Sequence, residues 1–251
     1  MENALYVGLS RQMALRRMLD VTANNVANMN TTAFRAERPV FDDFVSRVRN
    51  GDPTAFVVDR ATYTDTREGT LAMTGNPLDV AIRGDAWFQV ETPDGPRFTR
   101  DGRLGRAPDG RLVTVDGHSV LDAAGAPIEL PDDVGPVSIG ADGSISYEVP
   151  GADGGGQAVV IGQLGLFTLP GAQGLPRDPG GLVRPPPGSA PQAAERATLV
   201  QGALEGSNVQ PIQEMVRLVE LTRAYGESNR LVESENERQR NAINKLGGPA
   251  S

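Results

Sequence analysis

The side chains of this sequence that could do chemistry are mostly carboxylates. The 251 residues include 32 Asp and Glu, one histidine and no cysteine. Without cysteine the chain has no disulfide, thiolate metal site or cysteine nucleophile, and His118 alone leaves little for a zinc site or a histidine-based triad. Paired carboxylates could still cleave glycosidic bonds, as in a peptidoglycan hydrolase, but no pair can be singled out. We therefore predict no catalytic residue, no metal site and no cofactor.

Aspartate-glycine pairs recur through the middle of the chain. They occur at Asp94-Gly95, Asp101-Gly102, Asp109-Gly110, Asp116-Gly117 and Asp142-Gly143. One interpretation is a calcium-binding array, which needs several oxygen atoms within about 2.3–2.6 Å of the ion. Aspartates on successive turns point to different places, whereas Asp-Gly suits tight turns because glycine tolerates positive φ. We therefore interpret the pairs as turns of an antiparallel β domain.

Charge and hydropathy exclude several classes of protein. The formal net charge is −8 and Lys245 is the only lysine, which argues against binding of nucleic acid through clustered basic residues. No apolar run reaches the length of about 18 residues that suggests a membrane span, and the N-terminus lacks the pattern of a secretory signal. We expect a protein that is not membrane-inserted, carries no cleavable signal peptide and binds no small-molecule substrate.

A long helix of roughly 22 residues, about 33 Å, is predicted at the N-terminus. Its residues fit a heptad with Leu5, Gln12, Leu19 and Val26 at one core position and Gly8, Leu15, Thr22 and Met29 at the other. Val7, Met18 and Val21 form a second apolar strip. Asn30-Thr31-Thr32 ends the helix, because short polar side chains compete for backbone hydrogen bonds. Two apolar strips indicate neighbours on two sides.

A second long helix is predicted near the C-terminus. Ser207-Asn208-Val209-Gln210 has the spacing of a capping box, and Pro211 is tolerated in a first turn. The apolar residues that follow cover more than half the circumference: Ile212, Met215, Val216, Leu218, Val219, Leu221 and Tyr225. Gly247-Gly248-Pro249 ends the helix after roughly 37 residues, about 55 Å. This helix also has more apolar surface than one partner can cover.

The fold class predicted from these patterns is α+β and multidomain. N- and C-terminal helices pair into a coiled-coil-like α domain that encloses an antiparallel all-β domain. Residues 1–34 plus 200–251 form the terminal helical domain and residues 76–169 the β domain. Residues 35–75 are interpreted as a connector with extended segments, and residues 170–199 as a linker rich in proline and glycine.

Three parts of the sequence resemble one family. Residues 23–34 read Ala-Asn-Asn-Val-Ala-Asn-Met-Asn-Thr-Thr-Ala-Phe, residues 74–85 read Thr-Gly-Asn-Pro-Leu-Asp-Val-Ala-Ile-Arg-Gly-Asp, and residues 207–209 read Ser-Asn-Val. These motifs, with 98–102, 214–216 and 223–225, are similar to those of the bacterial flagellar rod and hook family of axial proteins. Glycine is more usual at the position of Ala33. Residues 3–12 look most like the proximal-rod members, and the distal-rod members are the alternative.

The resemblance implies a non-catalytic structural subunit of the flagellar drive shaft in the basal body. The terminal helices would polymerise into an inner tube with the β domain outside. The implied partners are copies of this chain, other axial proteins and the flagellar type III export apparatus, which would deliver the subunit to the periplasm.

Two other hypotheses assign the chain to different functional classes. One is an enzyme, and the other is a ligand-binding β module on a coiled-coil stalk, for which Trp87 would have to be an exposed platform rather than a core residue.

The residues predicted to pack subunits together lie on the two helices. They are Leu5, Leu9, Leu15, Met18, Leu19, Val21, Asn24, Asn25, Val26, Asn28, Ile212, Met215, Val216, Val219, Thr222, Tyr225 and Val232. An ordinary helical hairpin within one chain is the simpler explanation of the apolar strips. For the three asparagines two interpretations stay open: their amides bridge neighbouring subunits, or they only end the helix.

Overall fold

The computed structural model describes residues 2–46, 54–131, 136–150, 156–175, 178–185 and 188–246. The α-helices are α1 at Glu2–Ala27 and α2 at Pro211–Leu246. The described strands are β1 Glu37–Ser46, β2 Thr54–Thr64, β3 Leu71–Met73, β4 Val80–Arg83, β5 Trp87–Thr92, β6 Gly95–Thr99, β7 Leu104–Arg106, β8 Leu112–Thr114, β9 Ser119–Val120, β10 Val137–Ile139, β11 Ser144–Pro150, β12 Gly156–Gln163, β13 Leu166–Thr168, β14 Gln192–Ala193, β15 Thr198–Gln201 and β16 Ala203–Glu205. Short 3-10 turns occur at Ala172–Gly174 and Pro179–Gly181. The chain is α+β, as predicted.

The chain divides into two compact units. The helical unit comprises Met1–Asn28, Glu37–Tyr63 and Val209–Ser251, and the strand unit comprises Met29–Ala36 and Thr64–Asn208. Residues 37–63 of the segment 35–75, which was interpreted as a connector, therefore belong to the helical unit, where β1 and β2 form a two-stranded sheet. No helix in the described ranges has the length and apolar character to cross a membrane.

In the helical unit, the strand β2 is fixed to α1 by polar contacts. Arg17 Nε lies 3.1 Å from Asp59 Oδ2, and Arg17 Nη2 donates to Thr62 Oγ1 at 2.8 Å. The helix α1 ends at Ala27, where the Asn28 amide donates to the carbonyls of both Asn24 and Asn25. The polar run predicted to stop the helix therefore starts three residues after its last helical residue.

The strand unit is built from antiparallel pairs. Its largest sheet has the order β14-β13-β5-β9-β8-β7, with β6 paired to β5, and β10-β11-β12 form a second sheet. One core contains the fully buried Phe88, Ile82, Leu112, Val90 and Val120, and a second cluster contains Trp87. Because successive side chains of a strand point to opposite faces, the central strand β5 is buried on both faces, by Phe88 and Val90 on one side and by Trp87 on the other.

Four of the five Asp-Gly pairs lie in turns between paired strands, whereas Asp101-Gly102 lies between β6 and β7, which do not pair with each other. Gly95, Gly110, Gly117 and Gly143 have positive φ and connect the paired strands β5–β6, β7–β8, β8–β9 and β10–β11. The carboxylates of Asp101 and Asp109 accept from the backbone amide and the guanidinium of the arginine two residues later. Asp142 accepts from Ser144 in the same way. Each of these aspartates stabilises the local backbone that follows it.

Residues 170–199 differ from the interpretation as a linker. In the described part of this stretch Leu175, Leu182 and Val183 are buried, and Val183 exchanges backbone hydrogen bonds with Phe98. The strand β14 pairs with β13. Proline and glycine interrupt regular ladders but do not prevent burial of the apolar residues between them, and that burial attaches the stretch to the strand unit.

Candidate functional site

The two helices contact each other through small and polar residues. A Cβ placed on Gly8 would lie 3.1 Å from Val232 Cγ2, so Gly8 allows α2 to approach α1 closely. One turn later, the Gln12 side chain donates to Tyr225 Oη at 3.4 Å and to Asn229 Oδ1. The partners in α2 have falling numbers as those in α1 rise, so the helices run antiparallel. Gln12, placed at a core heptad position by the sequence, is therefore in the contact.

Several polar side chains are buried in the helical unit. Thr22 and Asn25 of α1 and Glu214 and Ser228 of α2 are each at most 5% exposed. Glu214 Oε2 and Ser228 Oγ find no hydrogen-bond partner among the residues that the structure describes. Buried polar groups without partners cost free energy. The burial inside this unit is thus partly unfavourable, and among the side chains that the structure describes there the buried apolar ones are Val21, Val209 and Leu221.

Larger apolar side chains of both helices are exposed instead. On α1 they are Tyr6, Val7, Leu9 and Met13. Tyr6, Leu9 and Met13 are spaced by three or four residues, and we name them stripe A. On α2 they are Leu231 and, in the first turns of the helix, Ile212, Met215, Val216 and Val219, which we name stripe B. Exposure reaches 67% at Met13 and 79% at Ile212. Helical spacing places each set on one side of its helix, so the unit presents two contiguous apolar surfaces to solvent, the feature typical of an association site.

The asparagines of the N-terminal motif make contacts within the chain. Asn25 Oδ1 accepts from the Glu37 amide at 2.9 Å, and Asn25 Nδ2 donates to the Glu37 carbonyl at 2.9 Å. Asn28 Nδ2 donates to the Asn24 carbonyl at 2.9 Å and to Asn24 Oδ1 at 3.0 Å. The hydrogen bonds between Asn28 and Asn24 thus support the interpretation that these asparagines end the helix, and Asn25 also fixes the start of β1. Bridging between subunits stays a prediction.

The remaining predicted packing residues fall into two groups by burial. Leu15, Met18, Leu19, Val26, Tyr225 and Val232 are partly buried and Val21 is buried, whereas Leu9, Asn24, Ile212, Met215, Val216, Val219 and Thr222 are exposed. Leu5 belongs to α1, but its side chain lies outside the described residues. Tyr6 and Met13 were not predicted, although their spacing from Leu9 is a helical signal that could have identified them.

In the strand unit, Glu205 joins two arginines from distant parts of the chain. Glu205 Oε1 accepts from Arg35 Nη2 at 2.9 Å and from the Gly69 amide at 3.1 Å, and Oε2 accepts from Arg100 Nε at 2.7 Å. Arg100 also donates to the carbonyls of Ile82, Gly84 and Ala86. All three charged side chains are buried. We name Arg35, Arg100 and Glu205 the Glu205 cluster.

Asn208 has a related role three residues later. Its Oδ1 accepts from the Ala36 amide at 2.7 Å, and its Nδ2 donates to the carbonyls of Asp65 and Arg67. The side chain therefore connects segments of the strand unit rather than capping α2, which begins at Pro211. The segment that follows α1 and the segment that precedes α2 are thus held in the strand unit, through the charged side chains of Arg35 and Glu205 and the amide side chain of Asn208. Sequence reasoning did not identify Glu205, Arg35 or Arg100, because lone charged residues carry no spacing signal.

Other features of the strand unit do not suggest a site for chemistry. An open groove of about 580 Å³ is lined mainly by alanine and leucine, with Asp142 and Glu195 as its carboxylates. Within the described ranges no group of three or more His, Asp or Glu could hold a metal ion. Trp87 is buried, as expected of a core residue, and therefore offers no exposed aromatic platform.

Comparison with known proteins identifies the family. Residues 5–35 match the family model described as flagella basal body rod protein, residues 81–147 the flagellar hook protein FlgE/F/G D1 domain, and residues 200–245 the flagellar basal body rod FlgEFG protein C-terminal. The three matches include α1 with the asparagine motif, the central sheets, and α2 with stripe B.

Similar curated proteins cover nearly the whole chain. The flagellar basal-body rod protein FlgF of Caulobacter vibrioides is 39% identical over 251 residues, which is 98% of this chain and 99% of that protein. FlgF of Rhizobium meliloti is 40% identical, covering 99% of both chains. FlgG of Bacillus subtilis is 31% identical over 97% of this chain and 99% of that protein. At this identity and coverage the chain belongs to the flagellar basal-body rod protein family and is of the FlgF type.

Proposed function

We propose that this chain is a structural subunit of the bacterial flagellar basal-body rod, of the proximal-rod type, and that it polymerises through its terminal helices. The observation that carries the proposal is the pair of exposed apolar stripes on α1 and α2. A rotating shaft transmits torque, so each subunit has to contact several neighbours. Open helical assemblies arise from such contacts when they do not close into a ring.

The terminal helices are proposed to act as a coiled-coil-like pair in the inner part of the shaft. The antiparallel contact through Gly8 and Gln12 supports this arrangement. The buried polar groups Glu214 and Ser228 weaken the pair by itself, and covering the stripes in an assembly would compensate for that cost. The strand unit, with its own core, would then form the outer surface as an independently folded part.

We also propose which partners the subunit binds and where in the cell it is located. Copies of this chain and other axial proteins would pack on the stripes, and Asn24 would be available to a neighbouring subunit because its side chain is exposed. The subunit would reach the periplasm through the flagellar type III export apparatus, and it would act without catalysis.

Motility tests the proposal. In a motile bacterium that lacks its own copy of this gene, the parent chain should restore swimming and rod assembly. Val216→Asp, which places a charge within stripe B, should abolish both, because a charge is heavily penalised where water is excluded. Val115→Asp is the matched control, since Val115 is also an exposed valine but belongs to the strand unit. Normal swimming of the Val216→Asp strain would contradict assembly through this helix.

The distal-rod alternative has one observation in its favour, the 31% identity to FlgG of Bacillus subtilis. It predicts that the chain replaces a missing FlgG, whereas the proximal-rod proposal predicts rescue of a strain that lacks FlgF only. Expression of the chain in the two deletion strains distinguishes them.

A further inference from the structure

The methionines of this chain are the side chains that a mild peroxide oxidises most readily, because the sequence has six methionines and no cysteine. Met13, Met73 and Met215 are exposed, whereas Met18 and Met29 are partly buried. Oxidation of a thioether requires access of the oxidant to the sulfur. Among these five side chains the three exposed ones should therefore react first.

Two of the three exposed methionines lie in the apolar stripes. Met13 is the last member of stripe A, and Met215 lies within stripe B, between Ile212 and Val219. Met73, which is 75% exposed, ends the strand β3 and belongs to the strand unit. Each helix thus carries an accessible thioether in the surface to which we assign association, and the strand unit carries an accessible thioether outside that surface.

We propose that Met13 and Met215 are oxidation sites through which a peroxide controls assembly, so that a subunit oxidised at both positions no longer joins the polymer. This inference rests on the proposed function and adds a regulation to the two stripes. In the reaction the thioether sulfur attacks one oxygen of hydrogen peroxide, the O–O bond breaks, and the other oxygen leaves as water. The sulfur is oxidised by two electrons to a sulfoxide, and the peroxide is reduced.

A sulfoxide opposes association because it is a polar group that has to lose its water when a stripe is covered. Leu9, the neighbour of Met13 in stripe A, has no side-chain group that could donate a hydrogen bond to it, and neither have Ile212 and Val219 beside Met215. Burying a polar group without such a donor costs free energy. With two sulfoxides in each subunit, the concentration needed for assembly should rise by about tenfold or more.

The same sulfoxides should leave the fold of the single chain unchanged. Both thioethers are exposed in the subunit, so the sulfoxide oxygens remain hydrated there. The reaction is also reversible, because methionine sulfoxide reductases return both epimers of the sulfoxide to methionine. The oxidised chain is therefore expected to be a folded subunit that regains assembly after reduction.

Oxidation of the full-length chain tests this regulation. The chain is treated with hydrogen peroxide, the peroxide is removed, and assembly is measured by sedimentation at concentrations where the untreated parent forms a polymer. Met13, Met73 and Met215 lie in three different tryptic peptides, so mass spectrometry measures each sulfoxide separately. We expect oxidation at all three positions, an unchanged circular dichroism spectrum and loss of sedimentable polymer. Treatment with the reductases MsrA and MsrB should restore sedimentation.

Leucine variants assign the effect to the stripes. The double variant Met13→Leu with Met215→Leu removes both thioethers with little change in volume, and it should form polymer before and after peroxide. Met73→Leu is the matched control, because Met73 is an exposed methionine outside the stripes, and this variant should lose assembly on oxidation as the parent does.

Three outcomes would overturn the inference. If the parent is oxidised at Met13 and Met215 but sediments as before, the stripes tolerate sulfoxides, and the proposed function still stands. If peroxide abolishes assembly of the double leucine variant as well, the sensitive site lies elsewhere in the chain. If the parent chain forms no polymer before oxidation, the proposed function fails and the regulation fails with it.

Discussion

The Asn25 side chain pairs with both main-chain polar groups of Glu37 in the manner of a neighbouring β-strand. Its Oδ1 accepts from the Glu37 amide and its Nδ2 donates to the Glu37 carbonyl, each at 2.9 Å. Asn25 is 2% exposed, so water cannot replace these bonds. The last turn of α1 is thereby connected to the first residue of β1 within the helical unit.

Asn25→Ala should destabilise the helical unit by about 1–3 kcal/mol, because it removes the two hydrogen bonds between the buried Asn25 side chain and the partly buried backbone of Glu37. Urea unfolding followed by circular dichroism measures the loss, and faster hydrogen exchange of the Glu37 amide assigns it to this contact. Asn24→Ala is the control. Its exposed side chain should change the free energy of unfolding by less than about 0.5 kcal/mol. Equal effects of the two substitutions would contradict the role given to Asn25.

Glu205→Gln should destabilise the strand unit by about 3–5 kcal/mol, the range for removing one member of a buried ion pair. The carboxamide removes the negative charge that compensates Arg35 and Arg100, both of which stay buried. Glu195→Gln, at an exposed carboxylate of the same unit, should have little effect. Chemical denaturation measures both variants. A loss below about 1 kcal/mol for Glu205→Gln would mean that hydrogen bonding alone, which glutamine partly keeps, holds the cluster.

Local patterns in the sequence were sufficient to predict the two helices and the antiparallel strands. The period of Leu5, Leu19 and Val26 identifies α1, and the Asp-Gly pairs identify the turns, because both signals depend on residues close together in the chain. Which strip of a helix contacts the other helix does not follow from such a period. Stripe B was predicted as packing surface, but the sequence did not show that α2 would leave it exposed.

Contacts between distant residues were not predictable from one sequence. Glu205 and Arg35 are separated by 170 positions, and nothing in their local surroundings specifies that they meet. In the stretch 170–199 the composition instead led to a wrong expectation. Its composition is typical of a linker, yet Leu182 and Val183 bury their side chains in the strand unit, because attachment depends on a few apolar residues rather than on average composition.

Ala33→Gly should stabilise the strand unit. Ala33 has φ 57°, and no other described non-glycine residue has positive φ. A left-handed conformation costs a residue with a Cβ roughly 1–2 kcal/mol, against roughly 0.5–1 kcal/mol for the greater freedom of glycine in the unfolded chain. We therefore expect a net gain of about 0.5–1 kcal/mol, seen as a higher melting temperature. Ala36→Gly, at a buried position without positive φ, should instead lower the melting temperature.

Stability of the strand unit should depend on the ionisation of Asp178. Hydrogen bonds from Arg97, and then from Arg184, hold the pKa of Asp178 below the ordinary value of an aspartate. A carboxylate whose pKa is lower in the folded state contributes stability above its unfolded pKa, and that contribution disappears as the pH falls through the folded pKa. Asp178→Asn should therefore lower the melting temperature at pH 7. The difference in melting temperature from the parent chain should vanish at a pH well below 3.8. A difference that is constant with pH would contradict the ion pair with Arg97.

Gly102→Ala should disrupt the strand unit, although Gly102 does not have positive φ. A Cβ at this position would lie 1.6 Å from the carbonyl oxygen of Val80, whose amide donates to the Gly102 carbonyl at 2.9 Å. The clash is with backbone of the buried strand β4, so no side-chain rotation can relieve it. We expect a loss of at least about 3 kcal/mol, the upper end of overpacking effects, or failure to fold.

Gly105→Ala is the matched control three residues later, because no atom lies within 4 Å of its added Cβ. Its free energy of unfolding should change by less than about 0.5 kcal/mol. Both variants are measured by thermal denaturation of the full chain, and equal melting temperatures would show that the backbones of Gly102 and Val80 do not approach this closely.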